Sequence, residues 1–308
     1  MRRASFLVIP IVLVACAAEP DGPAAPIAME QVTEAPALDA SAARQAVVGF
    51  VRAYAASPTE GVGALSQRVA GPELESWVRW LDVQHREFVG TIRAEADVRD
   101  VEFVGAIDAP RATGAQVGLS ASVLFSFTPE NAEPFELGRI LDGSVALIRT
   151  EVGTYKVIDL QRDGVRMSEG IQLFRGESRS EGGVDVVLDS LFMFPPNWQF
   201  NILISNPGPE PLFLIPETVG LYVAVTDGFE RLEPVLTGSL TVVPPGTDVA
   251  GILAFPLQST ATGRVLTLGY REGRGRGVLR FDFPLDDLVN VVPPPPPTVS
   301  EPVADVTT

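Results

Sequence analysis

The chain has 308 residues, a net charge of −16, one cysteine and one histidine. That acidic balance argues against nucleic acid and against electrostatic docking on anionic lipid, since both need a cationic face. A lone cysteine excludes an intrachain disulfide and a lone histidine excludes a multi-histidine metal site, so burial alone must hold the fold, and no metal or other cofactor is expected.

The first predicted element is a secretory leader. Met1-Arg2-Arg3 is cationic, the following stretch to Ala15 is apolar apart from Ser5, and Leu13-Val14-Ala15-Cys16 closes it. The apolar run is roughly a dozen residues, too short to span a bilayer as a helix. LVAC resembles the lipobox of bacterial prolipoproteins. The resemblance implies cleavage before Cys16 and lipidation of its thiol, with more than one acyl chain giving stable anchoring. The rival readings are a cysteine discarded with an ordinary leader and an uncleaved anchor. Losing Arg2 and Arg3 with the leader would move the charge from −16 to −18. Residues 17–37, rich in Ala, Pro and Glu, read as a disordered tether.

Residues 39–90 read as helical. Asp39 or Ser41 can cap a helix with Val47, Phe50, Val51 and Tyr54 on its apolar face, ended by Ser57-Pro58. A weaker helix carries Val62, Leu65 and Val69. Gly71-Pro72 opens a stronger one with the stripe Leu74, Trp77, Val78, Leu81, His85 and Phe88. From Val98 the period changes to two. Val101–Val104 is a strand, Val117 to Phe127 alternate almost cleanly, and Ser144–Arg149 and Tyr155–Leu160 form a hairpin about Gly153. Helices followed by an antiparallel sheet predict an α+β arrangement. The ending SVALIRTEVGTYKVIDLQRDG resembles the nuclear-transport-factor-2-like, or SnoaL-like, cone fold, in which helices lie on a curved antiparallel sheet and enclose a pocket. The likeness covers roughly residues 40–166.

Beyond the polar stretch Arg175–Gly183 all elements read as β: Val184–Leu188, Trp198 to Ile204, Leu221–Val225 before Asp227-Gly228, Val249 to Phe255, and Arg264 to Tyr270. FNILISNPGPEPLFL, VPPGTDVAGILAFPL and VLTLGYREG resemble the immunoglobulin-like accessory domain of secreted and lipid-anchored bacterial proteins. Pro293–Pro297 then opens a polar tail. The expected organisation is a signal peptide (1–15), a lipidated cysteine and disordered tether (16–37), an α+β cone-like domain (38–170), a linker (171–183), an all-β immunoglobulin-like sandwich (184–290) and a proline-rich disordered tail (291–308).

Candidate chemistry is sparse. His85 sits in a helical stripe, which favours a core or pocket-lining role over that of a catalytic base. Trp77 and Trp80 share one helix face and read as packing rather than as a ligand platform. The cone resemblance makes Tyr54, Trp77, His85 and Asp159 candidate pocket groups, and some cone relatives are isomerases or cyclases that use such groups as acid and base. No nucleophile elbow or phosphate loop occurs in a strand–helix context. Arg271, Arg274, Arg276 and Arg280 cluster near a hairpin tip as a candidate anion contact, against the plainer reading of a solvated turn.

The function expected is that of a lipid-anchored, non-catalytic envelope protein facing outside the cytoplasm, on the cell membrane or the outer membrane. Its expected partners are the membrane through the anchor and either another envelope protein or an apolar small molecule, with no nucleic acid. The alternatives are a cone-domain enzyme acting on an apolar small molecule and a structural spacer.

Overall fold

The computed structural model describes residues 38–109, 112–194, 197–225, 227–235, 238–256, 262–273, 275 and 277–285. The leader, Cys16, the tether and the proline-rich tail lie outside the described residues.

Asp39 starts α1 (Ala40–Glu60). Its Oδ1 accepts from the amides of Ser41 and Ala42, both at 2.9 Å, and so satisfies two N–H groups that have no helical partner. Val47, Phe50, Val51 and Tyr54 form the buried face, as the spacing requires. The Ser57-Pro58 step, expected to end this helix, instead lies in its last turn. Pro58 has no N–H for the carbonyl of Tyr54, and the buried Ser57 hydroxyl donates to that carbonyl at 2.8 Å in its place. A single turn, α2 (Gly63–Ser66), buries Leu65. Pro72 then occupies the first turn of α3 (Pro72–Glu87), where its missing N–H costs nothing, and Leu74, Trp77, Val78, Trp80 and Leu81 are buried.

Four antiparallel strands follow in sequential order: β1 (Gly90–Ala109), β2 (Ala112–Pro129), β3 (Phe135–Arg149) and β4 (Tyr155–Asp159). In β2, Ala115, Val117, Leu119, Ala121, Val123 and Phe125 all point into the core shared with α1 and α3, while Ser120, Ser122 and Leu124 between them do not. β1 begins at Gly90 rather than Val98 and carries irregularities at Val98/Asp100 and Phe103/Gly105, where extra residues bend a strand of this length.

Next comes a small hairpin, β5 (Gln161–Arg162) and β6 (Val165–Arg166). Its turn is Asp163-Gly164, with φ of 52° and 80°. Both values fall in the left-handed region that a two-residue turn of this hand requires and that Asp and Gly tolerate. The turn docks on β3, where the amide of Asp163 donates to the carbonyl of Ile140 at 2.8 Å and the amide of Ile140 donates to Asp163 Oδ1 at 2.9 Å. One helical turn, α4 (Met167–Gly170), leads out.

The remaining strands are β7 (Ile171–Glu181), β8 (Val184–Phe192), β9 (Asn197–Asn206), β10 (Leu212–Leu214), β11 (Gly220–Val225), β12 (Gly228–Leu232), β13 (Val242–Val243), β14 (Thr247–Pro256), β15 (Thr262–Glu272) and β16 (Leu279–Pro284). They make one sheet in the order β14-β9-β8-β7 and another in the order β12-β11-β15-β10-β13, with β16 on β15. Val186, Phe200, Ile204 and Phe255 of the first sheet share a core with Leu221, Leu268, Tyr270 and Phe283 of the second. The first sheet also has a second buried face. Phe192, Phe194 and Ile252 belong to the same core as α1 and α3, so Gly251–Phe255 of β14 is buried without interruption. Buried on both faces, that run reads as a continuous apolar stretch.

The fold class expected from the sequence, an α+β cone-like domain plus an immunoglobulin-like sandwich, is therefore corrected. Among the described residues the chain is mostly β, with four antiparallel sheets and four helices, two of them single turns. Helical periodicity is confined to residues 40–87, whereas strand carries nearly everything after Gly90. Residues 171–181, expected as a linker, pair with β8 as β7.

Candidate functional site

A cavity of about 350 Å³ lies where α3, the inner face of β1–β3, the β5–β6 hairpin and the end of β8 meet. Its volume is at the lower end of the range of small-molecule sites, about 300–1,000 Å³. The walls are mainly aromatic. Tyr54 stands 5.3 Å from Phe125, Phe88 meets Phe127 edge-on at 5.3 Å, and Phe127 lies parallel to Phe135 at 4.7 Å. On the far side Trp80 stacks on Phe192 at 5.0 Å, and its indole N–H donates to Gln199 Oε1 at 3.1 Å.

The cavity has a mouth and an inner end. Along β3 the inward-facing residues become steadily more buried: Phe135 is 50% exposed, Leu137 36%, and Leu141 1%. Arg139, between Leu137 and Leu141, is half-buried and lines the cavity. Beside it the β5–β6 hairpin points Arg162 inward. Arg162 is only 3% exposed, with its guanidinium over the ring of Phe194 at 4.2 Å. Its Nε is sealed from solvent, has no hydrogen-bond partner among the described residues, and sits 3.6 Å from Asp163 Oδ2. Asp163 is shared, because Arg139 donates to the same oxygen at 3.1 Å.

Two guanidinium groups thus face one carboxylate. Burial, reinforced by the like charge of Arg139, pulls Arg162 down to about 10, still protonated at neutral pH. Burial pushes the phenol of Tyr54 up against the opposing pull of both arginines, so Tyr54 stays a neutral hydroxyl at this end. His85 lines the α3 side. Burial lowers its pKa despite the nearby carboxylate of Asp82, and its Nδ1 is buried without a hydrogen-bond partner among the described residues. Glu87, also on that side, accepts from the amide of Ser239 at 2.8 Å and from the Ser239 hydroxyl.

Of the candidate pocket groups, Tyr54 and His85 line the cavity and two others do not. Trp77 is 1% exposed and packs between Phe50 and Tyr54, one layer behind the wall, while Trp80 takes the lining position. Asp159 bonds Arg166 at 3.0 Å, the amide and hydroxyl of Ser168, and its neighbour's amide, so it ties the β5–β6 hairpin to α4 instead of facing a ligand. Of the arginine cluster, two members are described. Arg271 faces Phe213 in the ladder, while Arg280 faces Gly269 and pairs with Asp282 at 3.0 Å. Arg274, Arg276 and Cys16 lie outside the described residues.

Sequence reasoning missed Arg139, Arg162 and the Phe127–Phe135 wall. One signal was available for Arg162. Leu160 is buried, and two residues on in extended chain a charged side chain takes the same inward phase.

No family model matches this chain, and no curated protein matches it. Among solved structures, it is similar to the crystal structure of the intermembrane space region of the chloroplast protein ARC6. The TM-score is 0.31 at 11% identity, covering 41% of this chain and 98% of that one. A likeness of that size carries no argument about fold or function. No helix among the described residues is long and apolar enough to cross a membrane.

Proposed function

We propose that this protein is a lipid-anchored bacterial envelope protein that holds an apolar small molecule without transforming it. The observation that carries the reading is the aromatic cavity of about 350 Å³, enclosed by elements from both the helical segment and the later sheets. Ligand sites are typically such apolar recesses with a few placed polar groups. A binding role is favoured over acid–base catalysis because the candidate acid–base groups are not brought together. Tyr54 is held neutral, His85 has its Nδ1 sealed and unpaired, and Asp159 is committed elsewhere. Anchoring through Cys16 rests on the LVAC sequence.

The test is native mass spectrometry of the full chain purified gently from its source cells. A reproducible added mass, beyond any acyl modification at Cys16, is the expected result. A ligand-free mass under conditions that retain known weak complexes would overturn the reading. Labelled palmitate should be incorporated by the wild-type chain and not by Cys16→Ala.

A further inference from the structure

We propose that the ligand of this cavity is an amphipathic monoanion, bound head inward, with its carboxylate on the guanidinium of Arg162 and its apolar body between Phe125, Phe127 and Phe135. The inference deepens the binding reading above and rests on it.

Arg162 is the core of the argument. A side chain that is 97% removed from solvent normally has its donors satisfied, because an unpaired buried polar group costs free energy. Arg162 instead leaves Nε without a hydrogen-bond partner among the described residues, and the residue lines an open space. Among the described residues the only carboxylate acting on it electrostatically is Asp163, which Arg139 shares. Glu87, on the α3 side, is not among those groups; Ser239 engages its Oε1, while its Oε2 is buried without a partner among the described residues. One unit of positive charge therefore remains at the inner end, which matches one carboxylate and not two. Guanidinium also offers the fork that a carboxylate accepts.

Orientation follows from the exposure gradient along β3. The charge lies at the buried end and Phe135 at the open one, so the head enters first and the tail points to the mouth. The neutral hydroxyl of Tyr54 faces the same end and is available as a further donor. Size follows from volume. At about 30 Å³ per water, a space of about 350 Å³ takes about a dozen small heavy atoms. Decanoate has about that many.

The experiment is isothermal titration of the full chain with decanoate and, separately, with decan-1-ol. They share the same tail, and one head is anionic while the other is neutral. Decanoate should bind about tenfold or more tighter, the effect of one charge-assisted, partly desolvated contact. Arg162→Met should bring the two affinities to within about twofold. Asp163→Asn, which removes the competing carboxylate, should tighten decanoate and leave decanol unchanged, and it keeps the test decisive should Arg162→Met fail to fold. Equal affinity of the wild-type chain for both probes would overturn the anion assignment while leaving the cavity reading intact. Binding of neither would overturn both.

Discussion

Asp163 is the residue on which the charge arrangement turns, and replacing it with Asn isolates that role. Asn tolerates the left-handed backbone at φ 52° and can still accept from the amide of Ile140, so the turn itself is preserved. What is lost is the negative charge 3.6 Å from a guanidinium that is 3% exposed and 3.1 Å from a second one. With an effective dielectric of about 20, a unit pair at 3.6 Å is worth about 5 kcal/mol, and truncating one partner of a buried pair costs about 3–5 kcal/mol. Asp163 retains 28% of its side-chain exposure, so solvent screens part of this, and the expected loss is about 2–4 kcal/mol. For a chain of this size that lowers Tm by roughly 4–8 °C, readable by calorimetry and by urea denaturation at constant slope. Arg162→Met in the Asp163→Asn background should recover most of the loss, because the buried charge that needs a partner has gone. If Asp163→Asn unfolds within about 0.5 kcal/mol of the wild-type chain, or if the added Arg162→Met makes matters worse, the charge-balance argument fails.

Three other outcomes are expected. Ser57→Ala should cost about 1–3 kcal/mol by leaving the carbonyl of Tyr54 without its donor, and the cost should shrink in the Pro58→Ala background, where residue 58 regains an N–H; a double-mutant cycle by urea denaturation reads the coupling. His85 is held below its ordinary value of 6.5 in the folded chain, so the unfolded chain takes up the proton first. Stability should therefore fall as pH drops through 6.5 and level off once the folded imidazole also titrates, and His85→Gln should flatten that segment of a Tm-against-pH curve. Asp189→Ala should cost about 2–4 kcal/mol by thermal or chemical melting, since Asp189 Oδ2 accepts from Ser76, Ser190 and Asn201, three buried side chains that fasten α3 to β8 and β9.

Much of the local structure was legible. Asp39 caps α1, Pro72 opens α3, and the alternation from Val117 to Phe125 is the inner face of β2, because these signals depend on neighbours a few residues away. The fold class was not legible. Polar strands such as β7, whose outer half is largely exposed, lack the alternation that marks a half-buried strand, and β14 is apolar on both faces. The cavity was legible only in part. Tyr54 and His85 could be picked from helical stripes, but Phe127 and Phe135 meet only through the β2–β3 pairing. Gln161-Arg162-Asp163-Gly164 reads locally as a solvated turn. Only the docking of that turn on Ile140 carries Arg162 into the interior, and the contact belongs to tertiary structure.

The uninterrupted burial of β14 has a consequence for biosynthesis. Synthesis proceeds from the N-terminus, so α1, α3 and β1–β3 emerge long before Ile252 exists to complete the core they share. Until β14 inserts beside β9, the wall that carries Trp80, Gln84 and Gln199 lacks its backing strand. The early segment is thus an apolar surface waiting for a late strand, and it needs protection until that strand arrives. Chains ending at residue 246 should be cleaved rapidly in pulse proteolysis, while those that include β14 and the strands after it should resist. Quality control of such a protein would act on completion of the chain and not on its first half.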